Sequence, residues 1–286
     1  GSGAMSDDPN ELWIVIPAYN ESAWIGSTID ALALQDGVSP TVLVVDNAST
    51  DDTAGAVTAA GLRHPMLDVR TIREDEKGTG AACDSGFRYA IEHGATYVLR
   101  TDADCLPTPA WASRMRDALD GGLDLVSGNY RARTDDGTAP FAASVTVPIV
   151  YGLVRFVGRT RPNNNRRSEG YRAPYILTPG GNMGIRATAY LECGGFPRTR
   201  IEDAHEDKQL VNRVRKVSSK LGYRRDAVVR FSNRRAARNG ILNNLRWYLN
   251  HGDGQGVVDV RSSTEPTAGR GHRCERLRRR PGRRPP

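Results

Sequence analysis

Four short, strand-like runs recur about every 25 residues between Leu12 and Asp104, at positions 12–17, 41–45, 67–72 and 96–101. Continuous apolar character without polar alternation, clearest in the first two, suits a strand covered on both faces, as in a parallel sheet. The intervening segments carry helical spacing instead. Ile25, Ile29 and Leu32 fall at i, i+4, i+7 in a helix expected to end near Asp36 and Gly37, and Cys83, Phe87, Ala90 and Ile91 share one helical face. Strand–helix alternation at this spacing restricts the first half to a doubly wound, mostly parallel α/β unit. In such a unit ligands bind at the carboxyl ends of the strands.

Carboxylates mark that edge. The fourth run ends in Asp102-Ala103-Asp104, and side chains at i and i+2 of an extended segment point to one side. Two oxygen donors there suit a hard divalent cation, and a cation there suits a diphosphate. Asp46 closes the second run, and Pro17-Ala18-Tyr19-Asn20-Glu21 leaves the first at the same edge, with a ring able to stack on a base and a carboxylate able to accept from a base or ribose. Lys77-Gly78-Thr79-Gly80 could offer amides and an ammonium to a phosphate, although it has no Walker A spacing. Each has an ordinary alternative: Asp46 as a turn-former, Asp102 and Asn20 as helix caps, Lys77 as a surface lysine. Three carboxylates converging on one sheet edge favour the functional reading.

Beyond Pro107 the sequence predicts a helix at 110–119 and a strand at 123–130, after which regularity fails across 131–175. Gly180-Gly181-Asn182-Met183-Gly184-Ile185-Arg186 reads as a turn into a strand, and 187–193 as a short helix. Leu210, Val214, Val217 and Leu221 form a helical stripe, with Glu206-Asp207 at its amino end either as a capping pair or as catalytic acids. A strand at 223–231 and a helix at 241–249 follow. The apolar stretch 145–157 is broken by Pro148 and Arg155 and is too short to span a bilayer, though it could rest on a membrane surface.

The net charge of +7 belongs to one segment. Residues 261–286 hold nine arginines against two glutamates, a surplus of seven, so residues 1–260 are formally neutral. A Pro/Gly/Arg-rich stretch without apolar periodicity reads as a disordered tail. The four cysteines form no CxxC pair, which disfavours a zinc site or a disulfide framework and fits a reducing, cytoplasmic setting. The expected division is a tag and tail at 1–11, one domain at 12–258 (a nucleotide-binding half at 12–130 and an acceptor half at 131–258), and a basic tail at 259–286.

Taken in order, Ile16-Pro17-Ala18-Tyr19-Asn20-Glu21, Val44-Val45-Asp46-Asn47-Ala48-Ser49-Thr50-Asp51-Asp52-Thr53, Thr101-Asp102-Ala103-Asp104, Gly180-Gly181-Asn182-Met183-Gly184-Ile185-Arg186, Gly194-Gly195-Phe196 and Glu206-Asp207-Lys208-Gln209-Leu210 resemble family 2 glycosyltransferases of the GT-A fold, over roughly residues 12–221. The resemblance implies a metal-dependent, single-sugar, inverting transferase using Mn²⁺ or Mg²⁺ and a nucleotide-sugar donor, UDP-linked, with a small or carrier-linked hydroxyl acceptor. It implies donor contacts from Pro17, Ala18, Tyr19, Glu21, Asp46, Lys77, Gly78, Asp102, Ala103, Gly181 and Asn182. It implies Asp104 as principal metal ligand with Asp102 beside it, and Asp207 as catalytic base with Glu206 adjacent. His251 is a further expected metal ligand, with His205 its rival, and Asp203 stands in reserve for the base.

Polymer-forming members of the family carry transmembrane helices and a Gln-x-x-Arg-Trp motif. This chain keeps only Arg246-Trp247 of that motif, which argues against processive synthesis. Two alternatives stand beside the transferase. A sugar-1-phosphate nucleotidyltransferase would need a glycine-rich basic loop after the first strand, where this chain has Ala18-Tyr19-Asn20-Glu21. A nucleic-acid or membrane-surface protein would act through the arginine tail; no nucleic-acid partner is expected, while peripheral membrane contact stays open.

Overall fold

The computed structural model describes residues 11–133, 170–198 and 206–232, with residues 152, 153, 156 and 160 between them. In chain order the elements are β1 (Leu12–Ala18), α1 (Ile25–Leu32), β2 (Thr41–Asp46), α2 (Thr53–Arg63), β3 (Asp68–Arg73), α3 (Thr79–Glu92), β4 (Tyr97–Thr101), β5 (Leu106–Pro107), α4 (Trp111–Asp120), β6 (Leu125–Ala132), β7 (Asn182–Arg186), α5 (Ala187–Glu192), α6 (Glu206–Val217) and β8 (Leu221–Phe231). One sheet of eight strands runs in the order β3-β2-β1-β4-β7-β6-β8-β5.

β1, β2, β3 and β4 are parallel, as the alternation requires. β7 then enters antiparallel between β4 and β6. This brings its amino end, Asn182, beside Thr101 at the carboxyl edge of β4.

Covering helices explain the unbroken apolar strands. Along β1 the side chains alternate between two cores. Ile14 and Ile16 pack with Ile25, Ile29 and Leu32 of α1, Val57 of α2 and Trp111, Met115 and Leu119 of α4. Trp13 and Val15 pack with Phe87 and Ala90 of α3, Tyr190 of α5 and Leu210, Val211 and Val214 of α6.

Three details differ from expectation. α1 ends at Leu32, before the Asp36-Gly37 stop, and Gln35 beyond it hydrogen-bonds Thr108 and Ala112. Leu221 begins β8 instead of closing the α6 stripe; the helix ends at Val217, and Ser218 bonds Asp124 instead. The two-residue β5 was not foreseen. It forms an edge, with Pro107 opposite Val229, a position that tolerates the missing amide. The expected helix at 241–249, most of the irregular segment 131–175, and the terminal segments 1–10 and 259–286 lie outside the described residues. Among the described residues no helix is long and apolar enough to cross a membrane.

Candidate active site

The site begins where β2, β1 and β4 end side by side. Ala18 is in register with Asp46, and Asp46 with Arg73. β1 lies between Asp46 and the acidic turn after β4, which sets them roughly 10 Å apart. The loop leaving β1 is stitched to the loop leaving β2. The Asn20 amide donates to Ser49 Oγ at 3.0 Å, the Glu21 amide to Thr53 Oγ1 at 2.9 Å, and the Ser22 amide to Asp51 Oδ2 at 3.1 Å. Asn20 Oδ1 in return accepts from the Thr50 amide at 2.8 Å. Asn20 and Ala48 both sit at positive φ, 53° and 56°, a backbone region these reciprocal bonds hold them in.

Asp46 Oδ1 accepts from the Ser49 amide at 3.1 Å, and its other oxygen lies 3.9 Å from Arg73 Nη1. Asn47, a neighbour that sequence reasoning passed over, anchors the loop between β3 and α3. Its Nδ2 donates to the carbonyls of Glu74 and Glu76, and its Oδ1 accepts from the Gly78 amide at 2.9 Å. Gly78 adopts φ 141°, a conformation open to glycine. This anchoring sets the Lys77 ammonium 5.4 Å from the Tyr19 ring centroid, over the same edge. Pro17 and Ala18 lie inside β1, and Glu21 at the start of the loop is 2% exposed.

The acidic turn is held by its backbone. The Thr28 hydroxyl lies 2.8 Å from the Ala103 carbonyl oxygen, Arg133 Nη1 donates to the Asp104 carbonyl at 3.0 Å, and the Cys105 amide donates to the Asp102 carbonyl at 3.1 Å. Ala103 and Cys105 are buried by this, while the carboxylates of Asp102 and Asp104 stay half-buried at the edge. Among the described residues no group of three or more His, Cys, Asp and Glu side chains gathers. Two carboxylates still fit a magnesium-like ion, which takes one or two protein oxygens and completes its shell with water and substrate phosphates. His251, the expected third ligand, and its rival His205 lie outside the described residues, as does Asp203.

Opposite the turn stands the amino end of α6. Asp207 accepts from the Gly180 amide at 3.2 Å through Oδ2 and from the Lys208 amide at 2.6 Å through Oδ1. Burial, and then the neighbouring Glu206 carboxylate, push its pKa up to about 7; Arg100 and the two amides only partly oppose them. Gly180 and Gly181 join the two sides. A Cβ at Gly181 would lie 2.8 Å from both Asp102 Oδ2 and Tyr130 Oη, and one at Gly180 would lie 2.5 Å from Arg100 Cζ. Glycine is needed here for close approach.

Asn182 is anchored inside the fold. Its Oδ1 accepts from Trp111 Nε1 at 2.8 Å, and its Nδ2 donates to the carbonyls of Asn129 and Ala227. The amide is fully buried and fully used in joining β7 to α4, β6 and β8. Arg100 went unremarked in the sequence. It is buried in β4, and its Nη2 lies 3.2 Å from both Asp102 Oδ1 and Glu206 Oε1.

The sheet order and the acid-lined edge of β2, β1 and β4 define the class, an α/β protein of the GT-A arrangement. The family model for glycosyl transferase family 2 matches residues 13–190, and the chain belongs to that family. Polyprenol monophosphomannose synthase of Mycolicibacterium smegmatis is 31% identical over 118 residues, which is 41% of this chain and 43% of that protein. Undecaprenyl-phosphate mannosyltransferase of Micrococcus luteus is 30% identical over 166 residues, 56% of this chain and 64% of that one. The chain thus spans about half the length of these curated relatives. Among solved structures, a mannosyltransferase of Pyrobaculum calidifontis in complex with GDP-Man and Mn²⁺ superposes with a TM-score of 0.56 at 23% identity, over 85% of this chain and 65% of that one.

Proposed function

We propose that the protein moves one sugar from a nucleotide-sugar donor, a UDP-sugar by the sequence reading, to a hydroxyl of a small or carrier-linked acceptor, with inversion at the anomeric carbon. The observation that carries this reading is Asp207, a carboxyl with its pKa near 7 facing the acidic turn across Gly180 and Gly181. A hydroxyl must lose its proton as it attacks, and a base poised near neutral pH suits that task.

The remaining residues take roles by placement. Tyr19, with Lys77 above its ring, and Asp46 at the end of β2 form the nucleoside end of the donor site. Lys77 and the Gly78 amide are positioned for the phosphates. Asp102 and Asp104 would hold Mn²⁺ or Mg²⁺, which when bound neutralises charge on the departing diphosphate as a Lewis acid. Gly181 lets the donor approach Asp102 closely. Asp207, half-buried opposite, accepts the acceptor proton at a carboxylate oxygen, and Glu206 beside it raises that oxygen's basicity. Separate carboxylates on the two sides suit a single displacement.

A second reading comes from the names of the relatives, whose products are polyprenyl-phosphate sugars. A phosphate acceptor is already ionised and needs no base. Transfer assays with Asp207→Asn separate the two. With a hydroxyl acceptor, turnover should fall by about 10²–10⁴-fold while donor binding holds. Near wild-type transfer to a polyprenyl phosphate, with none to any hydroxyl, would replace the hydroxyl reading by the phosphate one.

A further inference from the structure

We propose that Arg100 is a positioning residue for this reaction: its buried guanidinium ties the acidic turn after β4 to the amino end of α6 and offsets the negative charge gathered beside Asp207. The inference rests on the transferase reading of Asp207. Its footing is geometric.

Arg100 stands in the run Val98-Leu99-Arg100-Thr101, in the middle of the sheet and 3% exposed. Arginine is almost never fully buried without partners. Here its Nη2 reaches Asp102 Oδ1 and Glu206 Oε1, each at 3.2 Å, joining residues 106 positions apart. The Phe196 ring lies 5.6 Å from Cζ, and the missing Cβ of Gly180 leaves room for the guanidinium. Yet among the described residues Nε and Nη1 are buried without a hydrogen-bond partner. A buried arginine kept only for packing would be expected to have its donors met, because an unmet donor is a net cost. What this one does have is charge complementarity: three acids, Asp102, Glu206 and Asp207, surround a single cation.

The groups that face Asp207 can be named from each element packed on it. Glu206 and the Lys208 amide lie on its own helix, Arg100 on β4, and the Gly180 amide and Tyr175 on the segment leading into β7. Cys83 of α3 and Asp102 lie against Arg100 from the other side, and Arg215 of α6 faces Tyr175. Burial and Glu206 hold the proton on Asp207; the strongest opposing influence is Arg100.

The test needs no substrate. Protein carrying ¹³Cγ-labelled aspartate is titrated by NMR, the Asp207 resonance being the one absent from Asp207→Asn. In R100M its midpoint should rise by about one pH unit or more, and in R100K it should return to within about half a unit of wild type. Coincident midpoints in all three proteins would mean a purely structural arginine and overturn the proposal. Should R100M fail to fold, R100Q carries the test: it keeps a polar side chain without the charge, and its midpoint should likewise rise by about one unit. An unchanged midpoint in R100Q overturns the proposal equally. The acid limb of kcat/KM should follow the same shifts once a donor is found. NMR shifts without any sugar transfer would reject the transferase reading and leave the electrostatic coupling standing. Transfer with unmoved midpoints would reject Arg100 alone.

Discussion

Asp207→Asn should gain stability relative to wild type as pH rises from 5 to 8, and should be the more stable protein at pH 8. In the folded chain the Asp207 carboxyl keeps its proton up to about pH 7, against an ordinary 3.8. Between those values the native state binds more protons than the unfolded one, so this group's contribution to stability is full below pH 4 and is lost as pH rises through 7. At 1.36 kcal/mol per unit, the loss is on the order of 4 kcal/mol by pH 8, of which just under 2 kcal/mol has accrued by pH 5. Asparagine escapes all of it. Its amide can accept from only one of the two N–H groups, Gly180 or Lys208, and turns an NH₂ toward the other, a pH-independent cost of about 1–3 kcal/mol. The diagnostic is therefore the growth of the difference between the two proteins, about 2–3 kcal/mol from pH 5 to pH 8. Urea unfolding of both proteins at both pH values measures it, and titrations remote from Asp207 cancel to first order. A difference that stays within about 0.5 kcal/mol across the two pH values would refute the claim that Asp207 carries a raised pKa.

Four further outcomes follow from the geometry. Gly180→Ala places a Cβ 2.5 Å from Arg100 Cζ and should cost about 1–3 kcal/mol by chemical denaturation. Asn182→Ala should cost about 2–4 kcal/mol, because Trp111 Nε1 and the carbonyls of Asn129 and Ala227 lose their buried partner, and donor affinity in the folded fraction should hold. Tyr190→Phe removes the hydroxyl that donates to Asp84 and accepts from the Phe196 amide, and should lower stability by about 1–2 kcal/mol in a thermal melt. Chelation by EDTA should abolish sugar transfer, and added Mn²⁺ should restore it; turnover that persists under EDTA would remove Asp102 and Asp104 from a metal role.

How far the sequence could be read depended on whether the information was local. β1 was legible because both its faces are covered, so no polar residue interrupts residues 12–16 and the run shows itself. The acidic turn was legible because Asp102 and Asp104 are two residues apart. The strand order was not: the apolar content of residues 182–186 says nothing of their antiparallel entry beside β4. Leu221 kept the spacing of the α6 stripe by coincidence, since periodicity cannot see that Ser218 and Lys220 have already turned toward Asp124. Asn182 was named a donor contact by the resemblance; that its amide is buried where the missing Cβ of Gly128 admits it is a long-range fact that no window along the chain shows. Arg100 was visible as the one charge in an apolar strand. Its meaning depended on Glu206, 106 residues away, which no window along the chain includes.

The central claim is that Asp104 and its neighbours hold a nucleotide sugar through a divalent ion. Thermal shift of the wild-type chain and of Asp104→Ala, across UDP- and GDP-sugars with and without Mn²⁺, tests it most directly, because a ligand that binds only the folded state raises its melting temperature. The account predicts that a nucleotide sugar, a UDP-sugar by the sequence reading, raises the wild-type melting temperature only when Mn²⁺ is present, and that Asp104→Ala melts unchanged by the pair. An equal shift without Mn²⁺, or a shift that survives in Asp104→Ala, would contradict it.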